Sequence, residues 1–203
     1  LVVICGQVPT NVIGTDAFQE APVSAIMGSV AKHAFLVTEP ERLEETVRTA
    51  FEIARTGRPG PVVLDVPKNI QTWVGEFKGQ GRLALPGYRA RLNELNQRTL
   101  SKAQTESFFK LLQSSQRPLI YAGGGVVSAN AQDALRAFST KLGIPAVTTL
   151  MGLGVVDTQS DLSMGMLGMH GAAYANYAVE DCDFLISVGA RFDDRVAGVP
   201  HKF

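Results

Sequence analysis

Three stretches of the chain hold residues whose types and spacing could do chemistry. The first runs from Gly6 to Gln19 and on to Glu20. It crowds Gln7, Thr15, Asp16, Phe18, Gln19 and Glu20 into a loop that leaves an apolar run through Gly6 and Pro9. A loop at the carboxyl end of a strand in an open α/β sheet is where small molecules bind, so this stretch reads as one wall of a ligand site. The second is Gly123-Gly124-Gly125, between an apolar strand and a helix. Glycine lets backbone N–H groups approach an anion, and a helix amino end adds partial positive charge. The third glycine of the dinucleotide fingerprint is missing, so a plain tight turn and a phosphate cradle weigh about equally. The third stretch is Arg191, Asp194 and Arg195, close behind Gly189. A charge run is ordinarily a solvated turn, but a place after the last strand favours ligand contact.

Lys68, directly after Pro67, is either a solvated lysine or a site residue at a strand end. His170, between Gly168 and Gly171, either bonds a ligand or caps a turn. His33, His170 and His201 lack metal-ligand spacing with each other or with the cysteines, so no metal site is expected from this chain. Spacing alone offers no Ser/His/Asp or Cys/His arrangement.

These residues need strands and helices to hold them. Leu1 to Cys5 reads as a buried strand. Thr38 with Glu41 has the form of a capping box, and Pro40 suits a first helical turn. Leu43, Val47, Ala50, Phe51 and Ala54 then share one helical face, and Gly57 ends the helix. Arg58-Pro59-Gly60-Pro61 leads into a strand from Val62 to Val66, stopped by Pro67. From Gln71 to Thr99 periodicity is lost and the stretch reads as an interdomain linker. Ser101 with Gln104 is a second capping box, opening a helix that buries Phe108, Leu111 and Leu112. Leu119 to Ala122 is a strand, Ala131 to Leu142 a helix capped by Gly143, and Ala146 to Thr149 a strand. A helix runs through Tyr177, and Phe184 to Val188 is the last strand. The alternation predicts an α/β fold with parallel sheets and right-handed crossovers in two domains.

The bulk numbers narrow the function classes. Lysine plus arginine equals aspartate plus glutamate at 19 each, which gives no electrostatic pull toward nucleic acid or an anionic membrane. Hydrophobic residues make up 45% of 203, enough for full cores, and no apolar run reaches a membrane span. Cys5 and Cys182 read as buried free thiols in a reducing compartment. The chain opens inside an apparent strand without an initiator Met, so a piece of a longer protein is expected.

Taken together, the motifs resemble one family. They are Gly-Gln-Val-Pro at Gly6 to Pro9, Ile-Gly-Thr-Asp-Ala-Phe-Gln-Glu at Ile13 to Glu20, and Lys32-His33. With them go Gly57 to Val62, Asp65-Val66-Pro67-Lys68 and Leu85-Pro86-Gly87-Tyr88. The later part adds Thr149 to Gly154, Leu167 to Gly171, Tyr174 to Ala178 and Arg191 to Val196. The combination resembles the anabolic acetolactate synthases, or acetohydroxyacid synthases, in their catalytic large subunit. The resemblance implies the end of a parallel-sheet thiamine pyrimidine-binding domain over 1–71, a linker over 72–98, and a Rossmann-like central FAD-binding domain, incomplete, over 99–203. It implies thiamine-dependent decarboxylation of pyruvate and carboligation to pyruvate or 2-oxobutyrate, on the way to branched-chain amino acids.

By the same resemblance, Gln19 is the active-site glutamine and Phe18 stands beside it. Pro9, Lys68, Met169, Asp194 and Arg195 line the substrate channel. A planar guanidinium at Arg195 suits a 2-oxoacid carboxylate. Arg58, Gly124, Gly125, Thr149, Leu150, Met169, His170, Gly171, Gly189, Arg191 and Val196 are FAD contacts. Gly28 stands where many relatives have arginine, so one channel contact is expected to be missing. The implied cofactors are thiamine diphosphate, Mg²⁺ and FAD. The glutamate that activates thiamine falls before Leu1 and the Mg²⁺ motif after Phe203, so the chain alone is expected to be inactive. The implied partners are small 2-oxoacids, a second copy in a homodimer or tetramer, and a small regulatory subunit, with no nucleic acid and no membrane. The setting is the bacterial cytoplasm, or a plastid or mitochondrion. Other thiamine carboligases, such as glyoxylate carboligase or the FAD-free catabolic enzymes, and a non-catalytic nucleotide-binding module are the alternatives.

Overall fold

In the computed structural model, residues 1–77, 85, 87–96 and 99–198 are described, with backbone alone at 89, 92, 95 and 96. The chain divides into two compact units, Leu1–Thr99 and Leu100–Phe203. The strands in both are parallel, as the alternation predicts.

The first unit is a three-stranded sheet of β1 (Val2–Gln7), β2 (His33–Leu36) and β3 (Val62–Pro67), in the order β1-β3-β2. Every residue of the central β3 is buried. Val62, Leu64 and Val66 point to one face, where Ala50, Ile53 and Ala54 of α2 (Leu43–Arg55) pack on them. The helices α1 (Val23–Met27) and α3 (Lys68–Gln71) complete this part. Of the stretch 72–98, residues 78–84, 86, 97 and 98 lie outside the described residues. The described part contains α4 (Tyr88–Asn96), which the loss of apolar periodicity concealed, and Leu85 and Tyr88 pack on the first core.

Several local expectations change. The opening strand is not buried: β1 is an edge, with Ile4 65% exposed. The Thr38–Glu41 capping box does not form, because Pro40–Arg42 makes a 3₁₀ turn whose N-cap is Glu39, without a side-chain bond. The buried face of α2 is turned toward Thr46, Thr49, Ala50, Ile53 and Ala54, which leaves Phe51 56% exposed.

The second unit is a four-stranded sheet of β4 (Pro118–Ala122), β5 (Ala146–Thr148), β6 (Ser163–Met166) and β7 (Phe184–Val188), in the order β6-β5-β4-β7. Side chains alternate across β4. Ile120 and Ala122 pack with Leu135 of α7 (Gln132–Leu142) on one face. Leu119 and Tyr121 pack with Ala175 of α8 (Ala173–Asp181) on the other. The helix α5 (Lys102–Ser114) opens on the predicted capping box: Ser101 Oγ accepts from Gln104 N at 3.2 Å, and Gln104 Oε1 from Ser101 N at 2.9 Å. Leu112 packs on the core, while Leu111, expected on the same face, is 53% exposed. Gly143 caps α7 at φ +65°, as its position predicts. The short α6 (Gly124–Ser128) follows β4. The strand β6 is hidden in the sequence by Ser-Met-Gly-Met, whose Gly165 takes φ +72° at an irregular pairing with β5. Cys5 and Cys182 are free and part-buried. Among the described residues no helix is long and apolar enough to cross a membrane.

Candidate functional site

In each unit the candidate residues gather at the carboxyl ends of parallel strands. In the first unit, the loop after β1 and the turn after β3 meet there. Thr10 N donates to Asn69 Oδ1 at 2.9 Å, and Asn69 Nδ2 donates to Thr10 Oγ1 at 3.0 Å. This pair sets Pro9, which opens the 3₁₀ turn Thr10–Val12, beside the turn that carries the exposed Lys68. Phe18 is 89% exposed and Gln19 is exposed, so the loop presents an aromatic ring and an amide outward. Gln19 does so from a left-handed backbone, φ +65°.

Gln7 holds the two ends of this loop. Its Nε2 donates to the Ala21 carbonyl at 2.6 Å and to Asp65 Oδ2 at 3.2 Å, and its Oε1 accepts from Val8 N at 2.9 Å. Asp65 is an acid inside an apolar strand, 2% exposed, with Oδ1 unpartnered among the described residues. Burial pushes its carboxyl above the ordinary range, and the Gln7 bond offsets this in part. Neither role was drawn from the sequence, although a lone acid within Val-Val-Leu-Asp-Val is a visible signal.

Two motifs of the first unit lie elsewhere. Arg58 sits in the bend before β3, at the amino end of the sheet. The structure therefore does not bring it near Pro9, Gln19 or Lys68; β3 separates them by roughly 20 Å at ~3.3 Å rise per residue. Lys32 serves the fold. Its Nζ donates to the carbonyls of Ile53 at 2.6 Å and of Thr56, closing the carboxyl end of α2 where a cation is favoured. Desolvation lowers its pKa.

In the second unit, four loops converge. Gly123 N donates to Val188 O at 3.0 Å, Gly125 N to Gly189 O at 2.9 Å, and Thr149 N to Ala122 O at 2.9 Å. A Cβ at Gly123 would lie 2.4 Å from Gly189 O, and one at Gly152 2.5 Å from Ala122 O, so only glycine permits this approach. Two of the three glycine N–H groups are thus spent inside the protein, and the triplet works first as a contact between loops. Leu150, beside it, is 67% exposed and Met151 74%.

The loop after β6 is fastened on both sides. Asn176 Oδ1 accepts from Gly168 N at 2.7 Å and its Nδ2 donates to Gly168 O at 3.1 Å, while Met169 N donates to Arg195 O at 2.9 Å. Gly171 folds back so tightly that a Cβ would lie 2.3 Å from Met166 O. His170 is exposed, and Val196 packs on the core. Arg191 pairs with Asp193 at 2.7 Å, and that carboxylate is held below the ordinary range first by the Arg191 hydrogen bond. Asp193 Oδ1 also accepts from Arg195 N at 3.2 Å. The Arg195 side chain is 64% exposed, its guanidinium 3.7 Å from the Asp194 carboxylate and 3.9 Å from Met169 Sδ. A cavity of about 880 Å³ is lined by Met169, Asn176, Phe192, Asp194 and Arg195 among others. Arg195 therefore combines an exposed planar donor with a loop fixed at its backbone, which suits an anion such as a carboxylate. Sequence reasoning took Asn176 only as part of the motif Tyr174 to Ala178 and missed its fastening role, and it missed Tyr121, whose phenol donates to the Arg191 carbonyl from inside a strand.

An implied flavin can be tested against these loops. Exposed Leu150, Met151 and Met169, backbone held close by glycine, and Arg191 nearby fit a flat apolar ring system with an anionic tail. Mg²⁺ does not fit: among the described residues no cluster of His, Cys, Asp or Glu could hold a metal ion. His201 lies outside the described residues.

Residues 105–203 match the family model "Thiamine pyrophosphate enzyme, central domain". The whole chain is 46% identical over 203 residues to "Acetolactate synthase 2, chloroplastic" of Nicotiana tabacum, covering 30% of that protein. It is 44% identical over 203 residues to "Acetolactate synthase, chloroplastic" of Arabidopsis thaliana, covering 29%. To "Acetolactate synthase large subunit" of Corynebacterium glutamicum it is 45% identical over 198 residues, covering 31% of that protein and 98% of this chain. The chain thus has acetolactate synthase homologues along its length and spans about 30% of theirs.

Proposed function

We propose that this chain is part of the catalytic large subunit of an acetolactate synthase: residues 1–71 the end of the thiamine pyrimidine-binding domain, 72–98 a linker, and 99–203 most of the central FAD-binding domain. The complete enzyme decarboxylates pyruvate and joins the two-carbon unit to a second 2-oxoacid, pyruvate or 2-oxobutyrate, for branched-chain amino-acid synthesis. The observation that carries this reading is similarity along the whole chain, 46% over 203 residues, through both units and not the central domain alone.

Thiamine diphosphate, when bound, supplies the electron sink for loss of CO₂ and for the new carbon–carbon bond. The residues of this chain position and select. In the first unit Gln19 donates its amide to a carboxylate or developing oxyanion, Phe18 packs against the substrate's carbon chain, and Pro9 and Lys68 shape the entrance. In the second unit Arg195 binds a 2-oxoacid carboxylate through its planar fork, with Met169 and Asp194 fixing its direction. Gly124, Gly125, Thr149, Leu150, Met169, His170, Gly171, Gly189, Arg191 and Val196 would hold FAD, which is structural in this reading. Arg58 is assigned to FAD by resemblance alone. Mg²⁺ is assigned to residues outside this chain. The "large subunit" name of a relative supports a small regulatory subunit as partner, and we assign a homodimer or tetramer.

The test is the complete protein, purified and assayed for acetolactate from pyruvate with and without thiamine diphosphate, with its visible spectrum recorded. Flavin bands and thiamine-dependent product formation are expected. A colourless protein that makes acetolactate at full rate would replace this reading with the FAD-free branch.

A further inference from the structure

The turn that presents Phe18 and Gln19 holds a left-handed residue without a glycine. Gln19 has φ +65°. Such a backbone persists in an L-residue only where its surroundings over-determine it. The neighbour, Glu20, supplies that constraint. Its N–H donates to the Ala17 carbonyl at 2.9 Å and closes the turn Ala17-Phe18-Gln19-Glu20. Its carboxylate returns to the same residue, Oε2 accepting from Ala17 N at 3.2 Å. The other oxygen, Oε1, accepts from Gly14 N at 2.5 Å, and Gly14 is itself left-handed at φ +85°.

One side chain therefore grips Ala17 and ties it to the preceding bend. Gln7 to Ala21 and Thr10 to Asn69 fasten the ends of this loop, and Thr15 N and Oγ1 donate to the Val12 carbonyl across Gly14, but among the described residues none of these bonds is made by Gly14 or Ala17 itself. Exposure separates the roles: Glu20 is half-buried, whereas Phe18 and Gln19 are exposed. A carboxylate accepting two backbone N–H groups is committed as an acceptor, so Glu20 acts through the loop and not on substrate.

We propose that Glu20 is a positioning residue, whose carboxylate fixes the Ala17–Glu20 turn and so the direction of the Gln19 amide and the Phe18 ring. The consequence for catalysis rests on the function proposed above, while the clamp itself does not. The experiment compares the complete protein with its Glu20→Ala and Glu20→Gln variants by amide hydrogen exchange without substrate and by steady-state kinetics with pyruvate. Glu20→Ala is expected to speed exchange at Gly14 and Ala17 about tenfold or more. It is expected to lower kcat/KM by ten- to a hundredfold, because about 1 Å of misplacement has that effect. Exchange in the central domain should stay unchanged. Glu20→Gln keeps an acceptor at the same reach and should recover part of both losses. Unchanged exchange at Gly14 and Ala17 in Glu20→Ala overturns the clamp at any activity. Faster exchange with unchanged kcat/KM overturns the positioning role. A wild-type protein that turns over no pyruvate overturns the functional reading, and the exchange data then judge the clamp alone.

Discussion

The Tyr121 phenol donates a hydrogen bond of 3.0 Å to the backbone carbonyl of Arg191. Tyr121 is fully buried on the central strand β4, and its ring meets Phe192 edge-on with centroids 5.3 Å apart. Burial raises its pKa, and the Asp193 charge adds to this, so the phenol stays a donor throughout the physiological range. The core thereby reaches the loop that carries Arg191 and Arg195. Tyr121→Phe keeps the ring and leaves the Arg191 carbonyl without this donor. It is expected to cost about 1 kcal/mol in denaturant unfolding of the complete protein and to weaken flavin binding. Unfolding and flavin titration curves that superimpose on wild type would count against the anchor.

Arg195→Ala removes the exposed guanidinium without disturbing its backbone bond to Met169. In the complete enzyme it is expected to impair use of the second 2-oxoacid more than decarboxylation, by about tenfold or more for loss of a charge-assisted bond. Arg195→Lys keeps the charge and loses the fork, so it should recover the rate only in part. Single-turnover CO₂ release, compared with acetolactate yield, separates the two steps. Equal loss in both contradicts the assignment.

Asp65 predicts a pH dependence. Its folded pKa lies above the ordinary 3.8 because burial disfavours the carboxylate. The folded chain then holds the proton to higher pH than the unfolded chain, so the contribution of Asp65 is full below 3.8 and is lost as pH rises through the folded value. Asp65→Asn mimics the neutral acid and has no such loss. The variant should gain stability relative to wild type as pH rises above the ordinary 3.8. Thermal melts across that rise decide it, and a variant that falls behind wild type as pH rises contradicts the burial cost.

Gly189→Ala should be severe. The residue has φ +61°, and a Cβ there would lie 2.6 Å from Val126 N and 2.8 Å from Gly125 Cα. Strain and clash together are expected to cost about 2 kcal/mol or more. A melt within experimental error of wild type would show that the β4 and β7 loops do not need this approach.

Much of the fold was legible where a local pattern and its tertiary use coincide. Ser101 and Gln104 cap α5, Gly143 ends α7, and the apolar run around Leu64 is a strand buried on both faces. Legibility failed where packing overrode the pattern. Phe51 and Leu111 have core chemistry and face solvent, because α2 and α5 are rotated on their sheets. The Thr38–Glu41 signature lost to a 3₁₀ turn, and β6 has a glycine where a strand pattern needs a branched residue. At the candidate sites of the two units, exposed groups such as Phe18 and Gln19 in the first and Arg195 in the second stood out by type and place. The roles of the groups that aim them did not. Gln7, Asp65, Asn69 and Asn176 act across 8 to 59 positions of sequence, a separation that spacing does not reveal.

The most direct measurement is made on the complete protein incubated with pyruvate. With thiamine diphosphate and Mg²⁺ present, it should release CO₂ and accumulate acetolactate, and removal of thiamine diphosphate should abolish both. A fully loaded protein that releases no CO₂ from pyruvate, or forms no acetolactate, contradicts the proposed function.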